Sequence, residues 1–164
     1  MYRKESEMYP DIRRWLAGLL KSKYPKAQII AEITAEKKLS RWLIEKDLSD
    51  YFPEYMMYEI DVDITGVIIL DNKAELAFVE CKLNKITLKD LSQLMGYSKV
   101  AIPLHSIILS PNTLSDSLNL LLNVNRRNDI LYYAQDRHII MGRWEESRKD
   151  LDMTSIVPIG AFIR

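Results

Sequence analysis

Two β-branched runs separated by a short polar turn constrain this chain more than any other feature. YEIDVDITGVIIL spans Tyr58–Leu70 and ELAFVECKL spans Glu75–Leu83, with Asp71-Asn72-Lys73-Ala74 between them. Such residues suit a pleated, half-buried surface and the turn suits a tight reversal, so the pattern predicts a β-hairpin. A lone hairpin is marginal in water and must pack against other elements. Residues 6–23 supply an amphipathic helix, capped by Ser6, with Met8, Ile12, Trp15, Leu16, Leu19 and Leu20 on one stripe. QIIAEIT over 28–34 reads as a short strand, and residues 39–49 as a helix ended before Pro53. Beyond the hairpin come a helix over 87–99, a strand at HSIILS, a helix over 114–122, and a final pair of strands, ILYYA and HIIMGRW. The expected fold class is α/β: a mixed β-sheet flanked by helices.

With 164 residues and no repeat, linker or low-complexity stretch, one domain over residues 1–164 is expected. The 23 basic and 23 acidic side chains cancel, which excludes a uniformly basic, nonspecific nucleic-acid coat but not a local patch. Cys81 is the single cysteine, so no intrachain disulfide forms, and a reducing, cytoplasmic setting is expected. No apolar run approaches the roughly 20 residues that span a bilayer, and the start lacks an apolar signal core, so no membrane partner is expected. Phosphate-binding glycine loops, the nucleophile elbow and zinc-spaced Cys/His pairs are all missing. His105 and His138 stand alone and read as loop or strand-end residues.

Ionisable residues are depleted in strands, yet this hairpin holds Asp61, Asp63, Glu80 and Lys82. Residues i and i+2 share a face about 6.7 Å apart, so Glu80 pairs in direction with Lys82 and Asp61 with Asp63. A turn over residues 71–74 sets Asp63 across from Glu80 or Lys82 and leaves Asp61 nearly one same-face step away. Strands about 4.8 Å apart let two carboxylates grip one cation. Two close carboxylates repel unless a cation lies between them, and Mg²⁺, a hard ion taking oxygen ligands at about 2.1 Å, suits that place. Lys82 beside it could serve a water and a phosphate, which points to metal-assisted phosphodiester hydrolysis. The plainer reading is a solvated ladder of charges on an exposed strand edge.

Asp63-Ile64-Thr65-Gly66-Val67 followed by Phe78-Val79-Glu80-Cys81-Lys82 resembles the PD-(D/E)XK nuclease superfamily, with Val62 where a proline often stands. The resemblance covers residues 6–110 or so, the expected core; a C-terminal helix and strand pair over 111–164 match only in element order. It implies a restriction-endonuclease-like or Holliday-junction-resolvase-like fold and a Mg²⁺- or Mn²⁺-dependent nuclease acting on nucleic acid, DNA before RNA. It assigns Asp63, Glu80, Lys82 and Gln93 as catalytic residues. The metal would lie on Asp63, Glu80 and the Cys81 backbone carbonyl, with Glu7 a provisional further ligand. Glu7 lies far from the apolar stripe of its helix, so a plain surface residue fits it as well. Asp61, Glu32 and Tyr97 are candidates for supporting those ligands. Lys89, Lys37, Lys38 and Arg41 are candidate phosphate contacts, as more weakly are Lys46, beside Trp42, and Arg126 with Arg127. Many relatives cut two strands as dimers, so a homodimer is one arrangement the resemblance allows. The superfamily also holds catalytically silent modules that bind nucleic acid or a protein, which is the alternative function.

Overall fold

The computed structural model describes residues 1–161; residues 162–164, the end of the expected domain, lie outside the described residues. A 3₁₀ turn at Glu5–Glu7 precedes helix α1, Tyr9–Lys23. Strand β1 (Gln28–Ile33) and the short helix α2 (Leu39–Glu45) follow. The hairpin is β2 (Ile64–Leu70) and β3 (Lys73–Cys81). Helix α3 (Leu88–Ala101), strand β4 (His105–Ser110) and helix α4 (Asp116–Asn119), extended by a π-turn through Val124, come next. Strands β5 (Tyr132–Ala134), β6 (Arg137–Glu145) and β7 (Asp150–Val157) follow.

The seven strands form one sheet in the order β1-β2-β3-β4-β6-β5, with β7 also paired to β6. β3, β4 and β6 run parallel and the other pairs antiparallel. The expected class, α/β with a mixed sheet flanked by helices, is therefore what the chain forms. The parallel connections need crossovers, which α3 and α4 provide. One face of the sheet is covered by α1 through Met8, Ile12, Leu16 and Leu20 against Ile64, Ile68, Val79 and Ile107. On the other face α2, α3 and α4 contribute Trp42, Leu43, Leu91, Leu94 and Leu118 against Phe78, Ile108 and Met141. α1 lies so close to β2 that a Cβ on Gly66 would come within 2.9 Å of the Leu20 side chain. Any side chain at that position would have to displace Leu20.

Strand alternation sorts β3 cleanly. Leu76 and Phe78 join the α2–α3–α4 side and Ala77, Val79 and Cys81 the α1 side, so Glu80 falls on the former.

Three sequence expectations need correction. The reversal in the hairpin is only Asp71-Asn72, since Leu70 already pairs with Lys73, and Asp71 takes a left-handed φ of 55°. β2 begins at Ile64 rather than Tyr58, because the carbonyls of Tyr58 and Ile60 accept N–H bonds from Ser40 and Leu39 at the start of α2. That segment cannot give the same groups to a neighbouring strand. And β7 was not expected; its alternation is broken by Asp152, which accepts from Thr154 and from Arg143.

Candidate active site

Asp63 is the residue just outside β2, where the chain turns off the sheet. Thr34 fixes that point: its N–H donates to the Asp63 carbonyl at 2.8 Å and its hydroxyl to the Val62 carbonyl at 2.7 Å. The single Thr34 proton being spent, the Thr65 hydroxyl is the donor in their 2.8 Å contact. Ile64 pairs with Val79, so extending the register by one residue sets Asp63 opposite Glu80. Such cross-strand neighbours have Cβ atoms about 5 Å apart. The tight turn thus selects Glu80 over Lys82 as the partner of Asp63.

Both oxygens of Asp63 are held. Oδ1 accepts from the Tyr9 hydroxyl and Oδ2 from the Cys81 N–H, each at 2.8 Å. Burial raises the Asp63 pKa, and these two hydrogen bonds and Lys82 pull against that rise. Tyr9 is itself pushed far up, first by burial and then by the Asp63 charge, so it stays a protonated donor.

Glu80 is only 4% exposed. Oε1 accepts from Lys82 Nζ at 2.9 Å, while Oε2 is enclosed with no hydrogen-bond partner. Burial, and after it the Asp63 charge, push its pKa up to about 7. Burial works to lower the Lys82 pKa, but Glu80 overcomes this and raises it, so the ammonium is retained. Asp90, from the first turn of α3, lies 3.9 Å from the same ammonium. Glu80 and Asp63 thus face each other with one ammonium, hydrogen-bonded to Glu80 alone, and an unsatisfied buried oxygen costs about 1–3 kcal/mol, more when it is charged. The donor set is short of positive charge, and a hard cation with oxygen ligands fits it. Among the described residues no group of three or more His, Cys, Asp and Glu side chains is gathered into a cage. Mg²⁺ needs none, since it commonly takes one or two carboxylates and keeps its waters. The Cys81 thiol faces the core, where burial holds it well above the usual thiol range.

The structure brings some of the other candidates together and parts others. Glu7 is exposed and accepts from the Arg3 N–H at 2.7 Å, away from the hairpin. In its place Glu5 comes to the hairpin's end, accepting from the Leu83 N–H at 3.3 Å. Its charge is among those raising Glu80 and Asp63. The cause of the exchange is Pro10, which stands in the first turn of α1 and leaves residues 5–7 on a separate 3₁₀ turn. Asp61 lies outside β2 and forms an exposed pair with Lys38 at 2.5 Å. Glu32 accepts from Trp42 Nε1 at 3.0 Å and pairs with Lys46 at 2.5 Å. Lys37 and Arg41 both pair with Glu45. Gln93 is exposed on α3 one turn beyond Asp90, Lys89 is exposed beside it, and Tyr97 is half-buried against the core. Arg127 pairs with Asp129.

Tyr9, Glu5 and Asp90 are site neighbours that the sequence did not single out. Thr87-Leu88-Lys89-Asp90 is a legible helix-start pattern: the Thr87 hydroxyl accepts from the Asp90 N–H while the Asp90 carboxylate accepts from the Thr87 N–H. It places Asp90 at the head of α3. Nothing local marks Tyr9, which meets Asp63 only through the tertiary fold.

No protein-family model matches the chain, and no curated protein matches it in sequence. Among solved structures it is similar to a pre-specific restriction endonuclease, BsaWI, in complex with DNA, at 9% identity and a TM-score of 0.42. The superposition covers 86% of this chain and 53% of that one, so this chain spans about half the length of that neighbour. Among the described residues no helix is long and apolar enough to cross a membrane.

Proposed function

We propose that the protein is a metal-dependent nuclease of the PD-(D/E)XK kind, hydrolysing phosphodiester bonds in DNA. The observation that supports this reading best is the enclosed, unpartnered Oε2 of Glu80 beside Asp63, with Lys82 Nζ 2.9 Å from Oε1. Asp63, Glu80 and the Cys81 backbone carbonyl would hold Mg²⁺ or Mn²⁺, with Glu5 in the role expected of Glu7. When bound, such an ion polarises a phosphoryl oxygen and makes a water nucleophilic at neutral pH.

The chain's own residues do the rest. Tyr9 and the Cys81 N–H fix the orientation of Asp63. Lys82 keeps its proton, so in the resting site it presents a charge and donors to a phosphate oxygen and to a water. Asp90 restrains the Lys82 ammonium from the α3 side, and Gln93, one turn on, positions water or phosphate. Lys89 contacts the phosphate backbone; Lys37, Lys38 and Arg41 would first have to leave their acidic partners. Two copies would let two sites cut two strands, and sedimentation as a strict monomer at working concentration would remove that part of the proposal.

The test is cleavage of end-labelled linear, single-stranded and four-way-junction DNA in Mg²⁺, Mn²⁺ or EDTA. Cutting is expected only with metal, and is expected to disappear in Glu80→Ala and Lys82→Ala. Intact DNA in every lane, with gel shifts indifferent to EDTA, would replace the nuclease by a silent nucleic-acid-binding module.

A further inference from the structure

The chain's two histidines, far apart in sequence, are neighbours in the sheet. β4 and β6 run parallel with Ser106 beside Ile139, which sets His105 beside His138. By alternation with Ile107 and Ile140 both lie on the face covered by α1, opposite to that of Glu80. They form one wall of a cleft of about 550 Å³ also lined by Lys23, Tyr24 and Arg137. That volume falls within the range of small-molecule sites.

A tyrosine ring adjoins each imidazole. Tyr24, which follows the last turn of α1, has its hydroxyl 2.7 Å from His105 Nε2 and its ring 5.9 Å from the imidazole. Tyr132 backs His138 at 5.3 Å. His138 Nε2 is enclosed with no partner, so this ring is not held there by a hydrogen-bond network of its own. Charge comes from the cations. Lys23 has no acidic partner among the described residues, and its Nζ lies 5.5 Å from the centre of the Tyr24 ring. Arg137 donates to the Ile102 carbonyl and lies 3.4 Å from Glu75; Asp136 stands exposed in the turn at the rim. Burial first, then Lys23 and Arg137, push His105 down to about 4, and burial lowers His138. Both imidazoles are thus neutral near pH 7. With His105 Nε2 taken by the Tyr24 hydroxyl, His138 Nε2 enclosed and the Lys23 ammonium beside them, the rings are a poor place for a metal cation. They suit an aromatic ring that carries an anionic group.

We propose that this cleft binds a nucleoside phosphate, with the base against the imidazole and tyrosine rings and the phosphate on Lys23. A free mononucleotide and a nucleotide within a single strand share this chemistry. The inference does not rest on the nuclease reading, since the cleft shares no residue with the Asp63–Glu80 site and its histidines lie on the face of the sheet opposite to Glu80.

The two histidines make the test clean, because each gives one set of imidazole signals by NMR. Full-length protein in EDTA is titrated with AMP, adenosine, inorganic phosphate and a short single-stranded oligodeoxyadenylate. AMP is expected to move both imidazole signals saturably, with adenosine and phosphate each roughly tenfold weaker or more. Lys23→Ala is expected to weaken AMP roughly tenfold without changing the melting temperature. An oligonucleotide that moves the same signals at lower concentration than AMP assigns the strand as the source; the reverse order assigns the free nucleotide. The proposal falls if neither moves the signals at millimolar concentration, if phosphate alone matches AMP, or if Lys23→Ala binds as the parent does.

Discussion

Carboxylates meet basic groups around α2 and in the hairpin, and the outcomes are opposite. Around α2, Glu45 accepts from Lys37 and Arg41, and Glu32 from Lys46 and Trp42. Glu45 is held below its usual pKa mainly by the Lys37 hydrogen bond. Glu32 ends below its own although burial opposes, because Lys46 and Trp42 donate to it. In the hairpin Glu80 has an ammonium at 2.9 Å and yet titrates high. The contacts are of the same kind; what differs is water, which screens and solvates the first group and is shut out from the second. A pair on the surface is complete in itself. The buried one, with a second carboxylate opposite, still lacks a positive charge.

The largest effect that separates the two regions should be on cleavage. Glu80→Ala or Lys82→Ala is expected to slow single-turnover cutting at least about 10²-fold, while Glu45→Gln leaves it unchanged; an equal loss in Glu45→Gln would erase the contrast. Next comes stability against pH in EDTA. Glu80 titrates near its ordinary 4.5 when unfolded and about 7 when folded, so the folded protein holds the proton longer. Its favourable contribution is full below pH 4.5 and fades as pH rises to about 7. His105 and His138, held low in the folded protein, act in the opposite sense in parent and variant alike. The stability of the metal-free parent relative to Glu80→Gln should therefore fall across that window, and Mn²⁺ should stabilise the parent most at the alkaline end. A parent-minus-variant difference that rises with pH instead would reverse the assignment of Glu80.

Smaller again is the effect of Tyr9→Phe, which keeps the ring and removes the hydrogen bond to Asp63. Calorimetry should show Mn²⁺ affinity reduced roughly tenfold, with the melting temperature in EDTA nearly unchanged. Undiminished affinity would show that Asp63 needs no support from α1. Smallest of all, Glu45→Gln and Lys37→Ala should shift the melting temperature barely beyond measurement error, and high salt should abolish whatever shift remains.

The parts of this protein that were legible in its sequence are those governed by spacing. Apolar residues at helical intervals mark α1 and α3, and the i, i+2 placing of Glu80 and Lys82 puts both on one face. Turn chemistry was legible as a turn but not as a length, and the length decides what Asp63 faces. Residues 58–63 have strand composition and yet feed the head of α2, because backbone carbonyls go to whichever donor the tertiary fold brings. Asp61 accordingly pairs with Lys38 at the surface. Tyr9 and Glu5 were illegible for another: their meeting with the hairpin joins positions 54 and 78 residues apart, and no local pattern reports it. The histidine pair was hidden in the same way, by a parallel register that only the folded sheet displays.

The two-residue reversal at Asp71-Asn72 carries a consequence for how such a chain can change over generations. Asp71 sits at φ 55°, a conformation asparagine and glycine also accept, and Asn72 is exposed, so the letters there are open to drift. Their number is not. A residue gained or lost that the strands absorb by re-pairing shifts every partner by one, and in β-structure one step is a change of face. Asp63 would then confront Val79 or Cys81 across the ladder and lose Glu80 altogether. Descent can rewrite this turn freely, but it can hardly change its length.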